Sequence, residues 1–450
     1  MEDTIKIKKG LDIPMFGAPS SDITTDTSTM LFAICPDDFP GIVWKARVHP
    51  GDKVQRGSIL FADKDNAGLC LTSPVSGEVT EIARGERRHI LHITIRREGN
   101  ETERFEIPDN VEGLRAILQA SGLWAMIRQR PFDIVPGVNA VPRDIFVTAF
   151  DSAPLAAPML QPGDMKDLEA GLAALAKLTS GTVYLGVRPD SGITSKAAKV
   201  ITFEGPHPAG NVGTQIAAIS PVNKGETVFT LDARTAVRIG CLTTYGVLDT
   251  TAIVAVTGPE VSNPHLINTT IGARLDTLLA GSLKTNNDSG LRIISGNVLT
   301  GVRCSLADGF LHFPYRQITV IDEGADADEF MGWASMSPNK FSVKRTFPAW
   351  LKGLNKPFRF DARIKGGRRA MILSEEFDKV FPFDIYPEYL LKAMMANDIE
   401  RMEELGIYEV APEDFALPEF VDTSKEPLQQ IDRQSLASLR KELSGPSKPM

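Results

Sequence analysis

Hydrophobic positions change their period several times along the chain, and each change predicts a change of architecture. From Val43 to Ile95 the apolar runs are short, rich in valine and isoleucine, and broken by turn residues every few positions, which predicts strands only. His49 to Asp52 and Arg56 to Ser58 punctuate the first half, and Ser73 to Gly77 the second. Between Asn110 and Arg130 the spacing becomes helical, with Val111, Leu114, Ile117, Leu118, Leu123 and Ile127 on one stripe and Pro131 as the stop. Compact apolar runs then alternate with an amphipathic segment: strands over Asp144 to Phe150, Thr182 to Val187 and Lys199 to Phe203, and a helix over Met165 to Lys177.

After a helix around Asp232 to Thr243 the pattern turns to strands again, beginning at Thr251 to Gly258 and continuing as a hairpin. A helix over Ala273 to Leu279 and a strand-rich run from Leu291 to Gly301 complete a small unit. Further strands are predicted over Gln317 to Ile321, Lys340 to Thr346 and Phe358 to Ile364; from Ser374 the pattern is helical, to a frayed tail. The fold class that follows is multidomain α/β, α+β overall. Residues 1–107 form a β domain, 108–248 a Rossmann-like α/β layer, 249–373 a β-grasp-like unit with extra strands, and 374–450 a helical region.

Composition narrows the function without naming it. The 450 residues are 42% hydrophobic and 24% charged, as in ordinary globular proteins, and the net charge of -8 argues against nucleic acid as the main partner. No stretch approaches the roughly 18 unbroken apolar residues of a membrane span, and no signal peptide is apparent, so a cytoplasmic protein is expected. Four cysteines are scattered, and so are six histidines except His89 and His92, which on a strand would face opposite sides, so no metal site is expected. The densest cluster of backbone-shaping residues is Phe203 to Gly213, where Pro206 and Pro208 bracket His207 and Gly205, Gly210 and Gly213 surround them. Such a segment is a shaped loop, either a junction or a pocket wall, and it follows a strand whose carboxyl end is where α/β sheets bind ligands.

Two halves, Pro50 to Leu60 and Ser73 to Ile82, resemble the barrel-sandwich hybrid of lipoyl and biotinyl carrier domains, and Lys64 lies in a turn where those carriers are modified. Asp65 after Lys64 and the long spacing to Ser73 depart from that pattern. Over nearly the whole chain a more specific likeness holds: KIKKGLDIP at Lys6 to Pro14, TSPVSG at Thr72 to Gly77, SGLW at Ser121 to Trp124 with RPF at Arg130 to Phe132, GPHPAG at Gly205 to Gly210, and RIISG at Arg292 to Gly296. With these motifs the chain resembles the family of A subunits of the Na⁺-translocating NADH:quinone oxidoreductases. That family is related to the C subunit of the Rnf complex and to the NADH- and flavin-binding subunit of complex I.

The resemblance implies a peripheral subunit on the cytoplasmic face of the bacterial inner membrane, in a complex with five other subunits, some of them membrane proteins. That complex oxidises NADH, reduces quinone and exports Na⁺; the isolated chain is expected not to be catalytic. Where flavin-binding relatives carry a glycine-rich run after Ser-Gly-Leu, this chain has Trp124 to Phe132, so the backbone cradle for phosphates is lost. No cofactor is therefore expected here, and FMN, riboflavin, FAD and iron centres are expected in partner subunits. The former nucleotide pocket is expected to serve quinone or a subunit interface, with Trp124 and Phe132 as walls, Arg128, Arg130 and His207 as donors, and Gly205 and Gly210 shaping the loop. The competing reading is a stand-alone lipoyl- or biotinyl-like carrier or ligand-binding scaffold using Lys64. Intact mass of the purified chain distinguishes the two: no adduct is expected, whereas a lipoyl or biotinyl increment on Lys64 would establish the carrier.

Overall fold

A computed structural model describes residues 3–285, 290–324, 340–343 and 356–443. The region after Met30 is a barrel-sandwich hybrid of two small sheets. One runs in the order Leu31–Ile34, Ile90–Arg97, Gly77–Arg84, Lys53–Val54, and the other Trp44–Ala46, Ile59–Asp63, Cys70–Thr72. Phe32, Leu60, Phe61, Leu69, Val79, Ile93 and Ile95 are buried between them, which is what the short valine- and isoleucine-rich runs require. Lys64 is exposed in the turn after Ile59–Asp63.

The α/β layer is a six-stranded sheet in the order Asp3–Lys6, Lys199–Glu204, Val183–Val187, Ile145–Thr148, Val228–Asp232, Arg128–Arg130, antiparallel only at the last strand. Alternation along Ile145–Thr148 sends Ile145 and Val147 into the main core, and Phe146 to the opposite face beside Ile216, Val222 and Val228. Helices Met165–Ala176 and Ala233–Tyr245 cover the first face and Val212–Ile219 the second. The two long helices cross at bare backbone. A Cβ on Gly171 would stand 1.8 Å from the Ala236 carbonyl oxygen, and one on Gly240 1.8 Å from that of Asp167.

The β-grasp-like sheet runs Val302–Cys304, Leu291–Ser295, Gln317–Asp322, Thr251–Thr257, His265–Thr270, Ile23–Thr25. A continuous apolar core links all four sheets, holding Phe61, Ile93, Trp124, Ile145, Val254 and Ile318 together. The C-terminal helices Pro387–Ala396, Ile399–Glu404, Ala416–Val421 and Leu428–Leu443 enclose a second core of Phe377, Phe381, Leu390, Met402, Phe415 and Leu436, which Ile13 and Met15 enter from the N-terminal segment.

Several expectations are corrected. The helix expected over Asn110 to Arg130 ends at Ala120; a short turn at Trp124–Met126 and the edge strand Arg128–Arg130 follow, because Gly122 takes φ +84° and breaks the spiral. The helix expected over Ala273 to Leu279 is a single turn, Leu275–Leu278. Phe358 to Ile364 makes single bridges, Phe358 to Met15 and Asp361 to Asp322, instead of a strand. Residues 340–343 form no strand, and the rest of the expected strand to Thr346 lies outside the described residues. Sequence reading missed the helix Val212–Ile219, the strand Val228–Asp232, and the strands Asp3–Lys6 and Ile23–Thr25, which join two different sheets. Substituting Gly240 by alanine is expected to destabilise the chain by about 1–3 kcal/mol through overpacking at the helix crossing; an unchanged denaturation midpoint would refute that account.

Candidate functional site

Chain order in the parallel sheet runs outward from Ile145–Thr148 to Val183–Val187 and Lys199–Glu204, while Val228–Asp232 is added on the other side. Crossovers leave in opposite directions at this point, so a crevice opens at the carboxyl ends of the two central strands. A cavity of about 530 Å³ occupies it. Thr148, Phe150 and Asp151 line it from one strand, and Leu231, Asp232 and Thr235 from the other. The loop at His207 and Gly210 forms a third side. The β-grasp-like unit closes it with Gly296 to Val302 and Phe313 to Gln317, and the C-terminal helix adds Gln429 and Arg433.

His207 is buried, and its environment fixes its protonation. Its backbone N–H donates to Asp12 Oδ1 at 2.9 Å. Ser152 Oγ accepts from the Gly210 amide at 2.8 Å and shares a hydrogen bond with His207 Nδ1 at 3.0 Å. Burial depresses the imidazole below its ordinary value, against the opposing charges of Asp151 and Asp12, which favours the neutral ring. Gly210 admits the close approach, since a Cβ there would stand 2.6 Å from the Ser152 nitrogen. Gly205 does not line the cavity; it lets the loop pass the N-terminal segment, where a Cβ would meet the Ile7 carbonyl at 2.3 Å.

Arginines and aromatics give the cavity its chemistry. Arg128 lines it while donating to the Ala125 and Asp38 carbonyl oxygens, and its guanidinium stands 5.8 Å from the Phe313 ring centroid. Phe313 stacks on Phe39 at 5.1 Å. Arg316 Nη1 is 3.8 Å from Asp232 Oδ2, and its Nε and Nη1 are buried without a hydrogen-bond partner among the described residues. Burial pushes the Tyr315 hydroxyl up to about 12, and it donates to the Thr300 carbonyl.

Three residues expected at the site lie elsewhere. Trp124 is fully buried, edge-on to Phe229 at 5.8 Å, with Nε1 donating to the Pro136 carbonyl at 3.0 Å. Phe132, at φ +84°, packs against the C-terminal core. Arg130, 1% exposed, donates to Asp414 Oδ2 at 2.9 Å and to Glu413 Oε1 at 2.7 Å. Burial raises the carboxyls around it: Glu413 and Asp414 against the opposing charge of Arg130, and Asp432 well above the ordinary range. Neither Asp432 oxygen has a hydrogen-bond partner among the described residues, so its neutral form is the stable one. Sequence reading missed Phe313, Tyr315, Arg316 and Asp232, all of which line the cavity. The RIISG motif ends at Gly296, on the cavity wall, and was the available signal for that side.

Three family models match the chain: the NqrA N-terminal barrel-sandwich hybrid domain over residues 5–98, the NqrA second alpha/beta domain over 110–248, and the NQRA C-terminal domain over 253–305. Full-length similarity extends to proteins described as the A subunit of the Na(+)-translocating NADH-quinone reductase. The one from Serratia proteamaculans is 38% identical and that from Pasteurella multocida 37%, each over 97% of this chain and 100% of the relative. The one from Neisseria meningitidis serogroup B is 36% identical over the same shares.

The raised pKa of Asp432 sets a pH dependence. The folded chain holds this proton above the unfolded value near 3.8, so the group's contribution makes stability fall as pH rises from there through the folded pKa. Asp432→Asn removes that contribution. The melting-temperature difference, variant minus wild type, is expected to grow between about pH 5 and about pH 8; a difference independent of pH would contradict the buried neutral carboxyl.

Proposed function

The chain belongs to the family of A subunits of the Na(+)-translocating NADH-quinone reductases, and on that premise we propose that its central cavity receives the quinone. As a member it is one component of a sodium-pumping oxidoreductase complex. In this reading the electrons arrive from flavins and iron centres on partner subunits, and this chain holds and orients the quinone ring. Five partner subunits, some in the membrane, and a peripheral position on the cytoplasmic face complete the proposal. Among the described residues no helix is long and apolar enough to cross a membrane, which accords with it.

The observation that carries the reading is the pairing of a flat aromatic wall with buried unpartnered donors. A quinone ring is planar and apolar on its faces, and its carbonyl oxygens accept hydrogen bonds, more strongly as charge accumulates on them during reduction. Phe313, held by Phe39, and Phe150 supply apolar surface; Arg316 supplies N–H groups without partners among the described residues, and His207 contributes a neutral imidazole to the wall. The volume lies within the roughly 300–1,000 Å³ range of small-molecule sites. Trp124 and Phe132 have no part in it, and Arg130 supports the wall from behind. Residues 1–107, 108–248, 249–373 and 374–450 remain the proposed working units.

Arg316→Gln in the assembled complex is expected to raise the quinone KM roughly 10- to 100-fold, since a charged hydrogen bond contributes about 1.5–3 kcal/mol. Phe313→Ala is expected to do the same to a lesser degree. NADH oxidation by an artificial acceptor should stay unchanged in both. An unchanged quinone KM, or loss of both activities together, would defeat the proposal.

A further inference from the structure

One edge of the hybrid domain carries an unfinished sheet. Trp44–Ala46 is the outer strand of the order Trp44–Ala46, Ile59–Asp63, Cys70–Thr72, with a neighbour on one side only. The Lys64 N–H donates to the Val43 carbonyl at 2.9 Å and the Arg47 N–H to the Leu60 carbonyl at 2.8 Å, so residues 43, 45 and 47 turn their backbone groups toward Ile59–Asp63. Alternation then directs the amides and carbonyls of Trp44 and Ala46 outward, and these four groups have no hydrogen-bond partner among the described residues. A row of unpaired backbone groups is a template for one more strand.

The space beside that edge is a groove of about 840 Å³. Ile42, Val43 and Trp44 give it apolar surface, and Val43 is 60% exposed. Lys45, Arg84 and Arg88, all exposed, give it charge. Arg84 donates to the Arg88 carbonyl at 3.0 Å, and none of the three cations forms an ion pair among the described residues. Asp37, the acid that lines the groove, is already held by His89 Nε2 at 2.8 Å, and Glu86, in the turn between the two arginines, does not line it. In a chain of net charge -8, three uncompensated cations make a local field opposite in sign to that of the whole molecule.

We infer that this groove docks an extended acidic segment of a partner protein, which adds to the sheet as a further strand beside Trp44–Ala46. Hydrogen bonds to the backbone of Trp44 and Ala46 set its register, and its side chains fall alternately on two faces, acids on that of Lys45 and apolar residues on that of Ile42 and Trp44. Arg84 and Arg88, which line the same groove, pair with further carboxylates. A lipid surface or a nucleic acid brings the negative charge but no amides and carbonyls to continue a sheet; a peptide strand meets both demands. As one subunit of a complex, the chain has partner chains to supply it. Phe39 also lines the groove and is the ring stacked on Phe313 at 5.1 Å, so the docked strand bears on the residue behind the wall of the central cavity. The inference stands whatever that cavity holds.

Residue-resolved hydrogen exchange on the full-length purified chain and on the assembled complex tests this. In the isolated chain the Trp44 and Ala46 amides are expected to exchange freely and the Lys45 amide, bonded within the sheet, slowly. In the complex Trp44 and Ala46 are expected to slow about tenfold or more while Lys45 stays as it was. Carbodiimide coupling of the complex should join Lys45 to an Asp or Glu of a partner chain. Arg84→Glu combined with Arg88→Glu should remove both the protection and the cross-link, and so should Ala46→Pro, which deletes an outward N–H and leaves the bonds to Ile59–Asp63 in place. If Ala46→Pro fails to fold, the charge reversals, at exposed positions, decide alone. Equal exchange of Trp44 and Ala46 in chain and complex, or protection that survives the charge reversals, would overturn the inference. So would protection reproduced in the isolated chain by high concentration, which makes the occupant a second copy, or by anionic phospholipid vesicles, which makes it a membrane.

Discussion

One buried charge, the guanidinium of Arg130, joins two of the parts that wall the cavity, the α/β layer and the C-terminal helices. It ends the edge strand of the α/β sheet and reaches Glu413 and Asp414 in the turn that leads into the C-terminal helices. Burying such a charge costs several kcal/mol unless acids meet it in good geometry. Asp414 also accepts the Ala411 amide at 2.9 Å, and the bare Cα of Gly213 makes room for its other oxygen. A single guanidinium thereby fixes the sheet edge, the helix Val212–Ile219 and the C-terminal bundle relative to one another, and those are the elements that bring His207, Thr148 and Arg433 to one space. Both of its terminal nitrogens are taken by these acids, and its Nε faces Asp133 at 3.9 Å.

Three architectures each give one side of the site. The α/β layer contributes strand ends, where backbone and side chains converge without crowding; the β-grasp-like unit contributes the aromatic loop; the C-terminal helix contributes a polar edge. One apolar core runs through all four sheets and couples these parts, since close-packed interiors transmit displacement instead of absorbing it. The loop Phe310 to Arg316 is the most heavily tied part. It is held by Asp38 through His312 and Phe313, by Phe39 through stacking, and by Ser295 Oγ through the His312 amide at 2.9 Å.

Local pattern determined a great deal by itself. Short valine- and isoleucine-rich runs and turn residues specify the strands of the hybrid domain, helical spacing specifies Met165–Ala176 and Ala233–Tyr245, and the proline- and glycine-rich stretch around His207 specifies a shaped loop at a strand end. The motifs spread along the chain identified its family. Each of these signals is carried by residues near one another in sequence, or by short words whose meaning does not depend on where the chain goes next.

Tertiary structure alone decided which of those residues meet. Trp124 and Phe132 have the chemistry of a pocket wall, but helix breakage at Gly122 sends one into the main core and the other against the C-terminal helices. Phe313 and Arg316 carry no motif and are 106 and 109 positions from His207, yet they share its cavity. Cys35 and His312 read as dispersed residues, and the fold brings them together with Asp38. Periodicity reports which face of an element is buried; it does not report the partner against which that face packs. That choice is made by long-range burial and by buried charges such as Arg130 finding their counterions.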